Sequence, residues 1–138
     1  TSGEEKALFE EILHETYGES ISLNTLETIY ERLNTYKESY QLISTRNLKS
    51  ILINVSPEKE TLLNQIFSEK FEGNYDFSVD SLIPDFKTKS LCVLNKDIDL
   101  NVLPDGLTDL NLVEEDGRHF LKIPIKETLV LNGFNIVE

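Results

Sequence analysis

Methionine and tryptophan are absent from the 138 residues, and there is only one cysteine. The single Cys92 excludes an intramolecular disulfide and a cysteine-rich zinc site, and it is typical of a protein of the reducing cytoplasm. Apolar runs are short, residues 51–53 being one example, so the sequence excludes a membrane-spanning segment. Because even an initiator Met is missing, we expect the chain to be an excised part of a longer protein.

Basic residues are also few. The chain has 13 Lys and Arg against 25 Asp and Glu, which gives a net charge of −12. The acidic excess is −6 over residues 1–40 (nine acids, three bases), −1 over 41–90 (seven, six) and −5 over 91–138 (nine, four). A surface of this sign repels phosphate backbones, because nucleic-acid affinity comes mainly from cationic side chains. Any nucleic-acid contact is therefore expected in the middle segment.

Apolar residues recur every three to four positions through the first half of the chain, which predicts about four helices. Gly18 is expected to end the first helix and Asn24 to cap the second. A hydroxyl at residue 44 or 45 opens the third helix, and the Ser-Pro pair at 56–57 opens the fourth. A Gly-Asn pair at 73–74 ends it. None of these helices is stable alone, so their apolar faces are expected to pack together.

After Phe86 the apolar period changes from 3.6 to 2, which predicts strands. The dipeptides Asp-Gly at 116–117 and Asn-Gly at 132–133 are signals for two-residue hairpins of type I′. Each turn sets apolar residues opposite one another. The predicted pairs are Leu112 with Leu121, Leu110 with Ile123, Leu131 with Phe134 and Leu129 with Ile136.

These patterns predict an α+β fold. With 39% hydrophobic and 28% charged residues, the chain can build a core and is not expected to be disordered. Its length fits a single domain at residues 1–138. We expect a helical subregion at 1–85 followed by a small, mainly antiparallel β-sheet with two hairpins at 86–138.

No motif for catalysis or for cofactor binding is found. Cys92 alternates with apolar neighbours and is expected to be a buried strand thiol, which is unreactive because burial suppresses the thiolate. His14 is expected to be a partly exposed helix residue, and His119 to pair with Glu114 across a hairpin. There is no Gly-rich phosphate loop. We therefore expect no catalytic residue, no cofactor and no enzymatic activity.

Two acidic clusters are candidates for a cation site: Asp97 with Asp99, expected on the same face of a strand, and the run at residues 114–116. Neither spacing matches a calcium loop, and Asp116 is already explained by its turn, so no metal site is predicted. An enzyme would require His119, Asp97 and Asp99 to converge in one pocket.

Arg46, Lys49 and Lys59 are the nearest approach to a basic patch and the only residues predicted to contact nucleic acid. Three tyrosines on the second helix, at 30, 36 and 40, could stack on bases, but their spacing spreads them around the helix. We expect them instead on the helix flank, with the ring against the core and the hydroxyl in water.

Residues 86–134 resemble the C-terminal portion of the bacterial nucleoid-associated protein family (the NdpA-like proteins). The resemblance lies in the order of parts, and residues 67–75 are similar more loosely, whereas 1–65 hardly contribute. The parts are a basic-apolar lead-in at 86–89, an acidic-apolar strand at 97–100, an acidic turn at 114–117 and a closing strand at 120–124.

The resemblance implies a cytoplasmic, nucleoid-located bacterial protein with no cofactor, of which this chain is the C-terminal part. DNA would be reached indirectly, through the rest of the full-length protein, while this chain binds a protein partner or itself. The leading prediction is a non-catalytic accessory or self-association domain of a nucleoid-associated protein. The alternative is an acidic protein-protein docking module, or a DNA mimic, that binds a basic partner.

Overall fold

The computed structural model of the chain describes residues 2–71, 75–83 and 90–138. The chain divides into two compact units, Thr1–Asp85 and Phe86–Glu138. Helices dominate the first, which we call the helical unit, and short antiparallel strands dominate the second, the strand unit. This arrangement confirms the predicted α+β fold. None of the described helices combines the length and the hydropathy that crossing a bilayer requires.

The described part of the helical unit contains five α-helices and one pair of short strands. In chain order the elements are α1 (Ser2–Tyr17), α2 (Leu23–Lys37), β1 (Leu42–Ser44), α3 (Thr45–Ile51), α4 (Pro57–Lys70), β2 (Asp76–Ser78) and α5 (Val79–Leu82).

Serine hydroxyls begin α3 and α4, as predicted. Ser44 has an extended backbone, and its hydroxyl accepts a hydrogen bond of 3.2 Å from the backbone N–H of Asn47. Ser56 accepts a bond of 3.3 Å from the backbone N–H of Lys59 in the same way. Both caps satisfy N–H groups that the first turn of a helix leaves without partners.

The predicted cap of α2 was wrong. Asn24 lies inside the helix, because Ser22 caps it two residues earlier and accepts a bond of 3.1 Å from the N–H of Thr25. Both residue types are good caps, so the sequence alone did not separate the two positions. Tyr40 lies beyond the end of α2 and is exposed.

Both α1 and α4 end within the described residues. Gly18 follows α1 with a φ of +76°, and its N–H donates to the carbonyl of His14 at 2.7 Å, which confirms the predicted stop. α4 ends at Lys70. The stop predicted at 73–74 lies outside the described residues.

Strands β1 and β2 pair antiparallel, with Ile43 opposite Phe77. This pairing was not predicted, because each strand has only three residues and the two are far apart in the sequence. β1 leads directly into α3 and β2 into α5, so the pair fixes the starts of both helices. The N–H of Val79, the first residue of α5, donates to the carbonyl of Gln41 at 3.0 Å.

The helical unit closes around one hydrophobic core, to which every helix and both strands contribute. Its central residues are almost fully withdrawn from water. The buried apolar residues are Phe9, Ile12, Ile29, Leu33, Ile43, Leu48, Ile51, Leu52, Leu63, Ile66, Phe67, Phe71, Phe77, Val79, Leu82 and Ile83.

The described strand unit contains three hairpins and a 3₁₀ helix. β3 (Ser90–Asn95) pairs with β4 (Ile98–Val102), β5 (Asn111–Glu115) with β6 (Arg118–Lys122), and β7 (Val130–Leu131) with β8 (Phe134–Asn135). The 3₁₀ helix, Pro104–Asp109, follows β4. Each pair is a separate two-stranded sheet, whereas one continuous sheet was expected.

Both predicted hairpins are confirmed. Asp116 and Gly117 have φ of 52° and 75°, the positive values that a type I′ turn requires, and Leu112 lies opposite Leu121. The Asn-Gly turn at 132–133 has the same conformation. The β3–β4 hairpin was not predicted, because its turn at 96–97 lacks a glycine.

The strand unit differs from the helical unit in having no buried residue among residues 91–138. Cys92, predicted to be a buried thiol, is only half-buried. The physical reason is that the described strands form separate two-stranded pairs, none of which buries a residue among 91–138.

Neighbouring positions on β1 provide a matched test of the core. Ile43 is 0% exposed and Leu42 is 55% exposed. Ile43→Ala is expected to lower the free energy of unfolding by about 2–5 kcal/mol, because it leaves a cavity among packed side chains. Leu42→Ala should cost less than about 1 kcal/mol. Urea unfolding followed by circular dichroism measures both, and equal losses would contradict the assigned register of β1.

Ionisation of the Tyr30 hydroxyl on α2 makes the free energy of unfolding depend on pH in the alkaline range. Burial raises the pKa of its hydroxyl above the ordinary value of 10.0, and the carboxylate of Glu10 raises that pKa further. The folded chain therefore keeps a proton that the unfolded chain loses. The resulting contribution to stability is complete below pH 10 and is lost as the pH rises through the folded-state pKa.

Tyr30→Phe is expected to reduce the loss of stability between about pH 9 and pH 11.5, because Phe has no proton to lose. Urea unfolding at the two pH values measures this difference. Tyr40→Phe, at an exposed position, is the control and should behave as the wild type. An alkaline loss that Tyr30→Phe leaves undiminished would show that other groups cause it.

Candidate functional site

The candidate site of the helical unit is a cleft between α3 and α4 with a volume of about 180 Å³, which we call the cationic cleft. Both of its positively charged side chains come from α3. Its lining residues are Thr45, Arg46, Lys49, Asn64, Phe67, Ser68 and Phe71.

Helix geometry explains why these side chains meet. Arg46 and Lys49 are three positions apart, so they lie one turn apart on the same side of α3. Asn64 and Ser68 are four positions apart and form the corresponding row on α4. Because the apolar faces of both helices are buried in the core, these polar rows border the cleft.

Lys49 is held in place from two sides. Its Nζ atom donates a hydrogen bond of 3.3 Å to Oδ1 of Asn64 and lies 5.8 Å from the centre of the Phe67 ring. Phe67 is buried and forms an apolar floor. A cation over an aromatic face is attracted by the negative electron density of the ring. The ammonium group is thus oriented by partners that do not neutralise its charge.

The cations of the cleft differ from Lys37 and Lys70 of the helical unit. Lys37 forms an ion pair of 2.5 Å with Asp80, and Lys70 one of 2.5 Å with Glu11. Arg46 and Lys49 form no ion pair within the described part of the chain, and no described carboxylate lines their cleft. Within the described residues, no carboxylate therefore compensates these two positive charges.

Two of the three basic residues predicted from the sequence are brought together. Arg46 and Lys49 share the cleft, whereas Lys59 lies in the first turn of α4 and does not line it. The sequence analysis missed Asn64 and Ser68. Their spacing of four on the polar side of a predicted helix was the only signal, and it gains meaning only once α3 lies beside α4.

The tyrosines do not form a common platform. The rings of Tyr36 and Tyr40 lie 4.9 Å apart at 35°, and the Tyr36 hydroxyl accepts a hydrogen bond of 3.2 Å from Nδ2 of Asn47. Tyr30 does not belong to this stack and packs against the core. The predicted contact of the ring with the core is therefore confirmed for Tyr30 and Tyr36 but not for Tyr40, whereas the Tyr36 hydroxyl bonds to Asn47 and the Tyr30 hydroxyl is partly desolvated.

In the strand unit, the candidate enzyme residues lie on two different hairpins. His119 lies opposite Glu114, as predicted. Asp97 lies in the turn between β3 and β4, and not on a strand face with Asp99 as expected. All of these side chains are exposed, and the described ranges contain no group of three His, Cys, Asp or Glu that could hold a metal ion.

The most extensive feature of the strand unit is a set of 14 exposed large apolar side chains, which we call the apolar strand surface. Leu112 is 69% exposed and Phe134 is 72% exposed. The set includes residues from all three hairpins. Its members are Leu91, Val93, Leu94, Ile98, Leu103, Leu112, Ile123, Ile125, Leu129, Val130, Leu131, Phe134, Ile136 and Val137.

Charged side chains accompany this surface. The Lys122 ammonium is bonded to the Glu115 carboxylate across the β5–β6 hairpin, and the Arg118 guanidinium lies 5.4 Å from the centre of the Phe120 ring. These contacts use two of the four basic residues in 91–138, which also contains nine acids. The hairpins therefore combine apolar side chains with an excess of negative charge.

Comparison with known proteins gives one family. The model of the family described as "Domain of unknown function (DUF4317)" matches residues 1–134. No curated protein and no solved structure matches the chain. None of these comparisons links it to nucleoid-associated proteins, so that relation stays a prediction. Because the matched region extends over both units, the chain belongs to the DUF4317 family of domains of unknown function.

Proposed function

We propose that this chain is a non-catalytic self-association module, in which the apolar strand surface of one copy packs against that of a second copy. The observation that carries the proposal is the exposure of 14 large apolar side chains on hairpins that bury no residue of their own. The helical unit, with its closed core, provides the folded support.

The area of the apolar strand surface fits an interface. A buried side chain of this type removes up to about 100 Å² from water, so the 14 side chains together offer on the order of 1,000 Å². A stable interface needs about 800 Å² from each partner. The summed area of the exposed side chains is therefore large enough for one side of an interface.

The marginal stability of isolated hairpins also favours self-association. An isolated two-stranded hairpin is marginally stable in water, and three or more strands or a packed layer are needed for independent stability. Each hairpin of the strand unit has only two strands among the residues that the structure describes, so both of its edges lack a described partner strand. Association with a second copy would supply both a covering layer and partners for these edges.

Charge opposes self-association and determines how it responds to salt. Two chains of net charge −12 repel one another, and dissolved salt screens that repulsion. Apolar burial, by contrast, is not weakened by salt. The self-association constant should therefore rise with ionic strength.

A basic partner protein is the second candidate, and the acidic excess of −5 over residues 91–138 favours it. In that complex opposite charges attract, so salt weakens binding. The response to salt thus has opposite signs for the two candidates. A nucleoid location, with DNA reached through other parts of a longer protein, remains a prediction under either one.

Sedimentation equilibrium of the full chain at about 0.05 M and 0.5 M NaCl tests the proposal. We expect a dimer whose dissociation constant falls at the higher salt concentration. Phe134→Asp should raise that constant more than tenfold, because it places a charge in the interface. Tyr40→Asp, at a residue of the helical unit that is 59% exposed, is the matched control and should leave the constant unchanged.

A chain that stays monomeric at every salt concentration would contradict self-association. So would a dimer that Phe134→Asp and Tyr40→Asp weaken equally, because the contact would then not lie on the apolar strand surface. A dimer that dissociates as salt is added would show that opposite charges, and not apolar burial, hold it together.

A further inference from the structure

We propose that the cationic cleft of the helical unit binds a phosphomonoester, a terminal phosphoryl group that carries close to two negative charges. The inference is independent of the proposed self-association, since that involves only the strand unit. It starts from the two cations that the cleft brings together without a described carboxylate between them.

Charge selects the phosphomonoester. Arg46 and Lys49 supply two positive charges, and a phosphomonoester carries about −1.5 to −2 at neutral pH. A carboxylate or a phosphodiester carries one negative charge and would leave one cation uncompensated. Hydrogen bonds between cationic donors and phosphoryl oxygens are roughly twice as strong as those between neutral groups.

The donors of the cleft suit three phosphoryl oxygens. The Lys49 ammonium uses one of its three N–H groups on Asn64, which leaves two, and Arg46 offers a planar fork of donors. The Asn64 amide accepts from Lys49 through Oδ1, so its NH₂ group remains a donor. The hydroxyl of Ser68 adds a further donor to the lining. Both helices therefore contribute to one anion site.

The volume of the cleft limits the size of the group to which the phosphoryl group is attached. Ligand pockets for drug-sized molecules measure about 300–1,000 Å³. At about 180 Å³ the cationic cleft is smaller and fits a phosphoryl group with a short stem. The buried rings of Phe67 and Phe71 provide apolar contact for that stem. Phosphoserine on a protein and a small free phosphomonoester share this chemistry.

Neighbouring clefts of the helical unit are less suited to an anion. A cleft of about 470 Å³ that includes residues of α2 and α3 contains Arg32 but also Glu31. A cleft of about 500 Å³, which shares Lys49 and Asn64 with the cationic cleft, contains Glu60. A carboxylate in the lining repels an anionic ligand, which separates these two clefts from the cationic cleft.

Nuclear magnetic resonance titration of the ¹⁵N-labelled full chain tests the proposal with three probes: inorganic phosphate, a phosphoserine peptide, and a single-stranded oligonucleotide without terminal phosphate. We expect saturable shifts of the Asn64 and Ser68 amides with the first two. Arg46→Gln and Lys49→Gln should each weaken binding at least about fivefold, through the loss of a charged hydrogen bond. Lys59→Gln, a cation outside the cleft, should leave it unchanged.

The relative affinities distinguish the sources of the phosphoryl group. Tighter binding of the peptide assigns the cleft to a phosphoprotein, and equal binding assigns it to small phosphomonoesters. The proposal is overturned if neither probe saturates, if Lys59→Gln weakens binding as much as Arg46→Gln, or if the oligonucleotide gives the same shifts with equal affinity. Urea unfolding of each variant verifies that the substitution does not destabilise the fold. Arg46 is exposed and is expected to tolerate its replacement.

Discussion

Both units depend on the removal of apolar side chains from water. They differ in how many of these side chains they bury within the chain itself. The helical unit closes a core in which Phe9, Ile43 and Phe77 are almost completely buried. The strand unit has the same kind of side chains but exposes many of them on two-stranded hairpins. Since backbone order costs about 1–2 kcal/mol per residue, hairpins that bury little would be stabilised by burial against the proposed second copy.

This difference also separates the two candidate surfaces. The cationic cleft lies on a unit whose core fixes α3 and α4, so Lys49 is oriented before any ligand arrives. Preorganisation of this kind lowers the entropic cost of binding. In the proposed self-association the apolar strand surface would be of the opposite kind, because its binding would be coupled to the ordering of two-stranded hairpins. The net charge of −12 acts on both, weakening anion binding at long range and opposing contact between copies.

Sequence reasoning succeeded where structure is determined locally. The turn at 116–117 and the Ser-Pro start at 56–57 each depend on a few adjacent residues, and both were predicted. The pairing of β1 with β2 was missed because it joins distant segments of three residues. The partners of Arg46 and Lys49 were missed for a related reason. Asn64 and Ser68 are ordinary surface residues of α4 until the core places α3 beside them.

Amide hydrogen exchange measured at several protein concentrations tests the proposed self-association most directly. The amides of β5 and β6 should exchange more slowly as the concentration rises through the association range, because the hairpin gains a covering layer. The amides of α1 and α4 should exchange at rates independent of concentration. Protection of β5 and β6 that is already complete in dilute solution, where the chain is monomeric, would contradict the account.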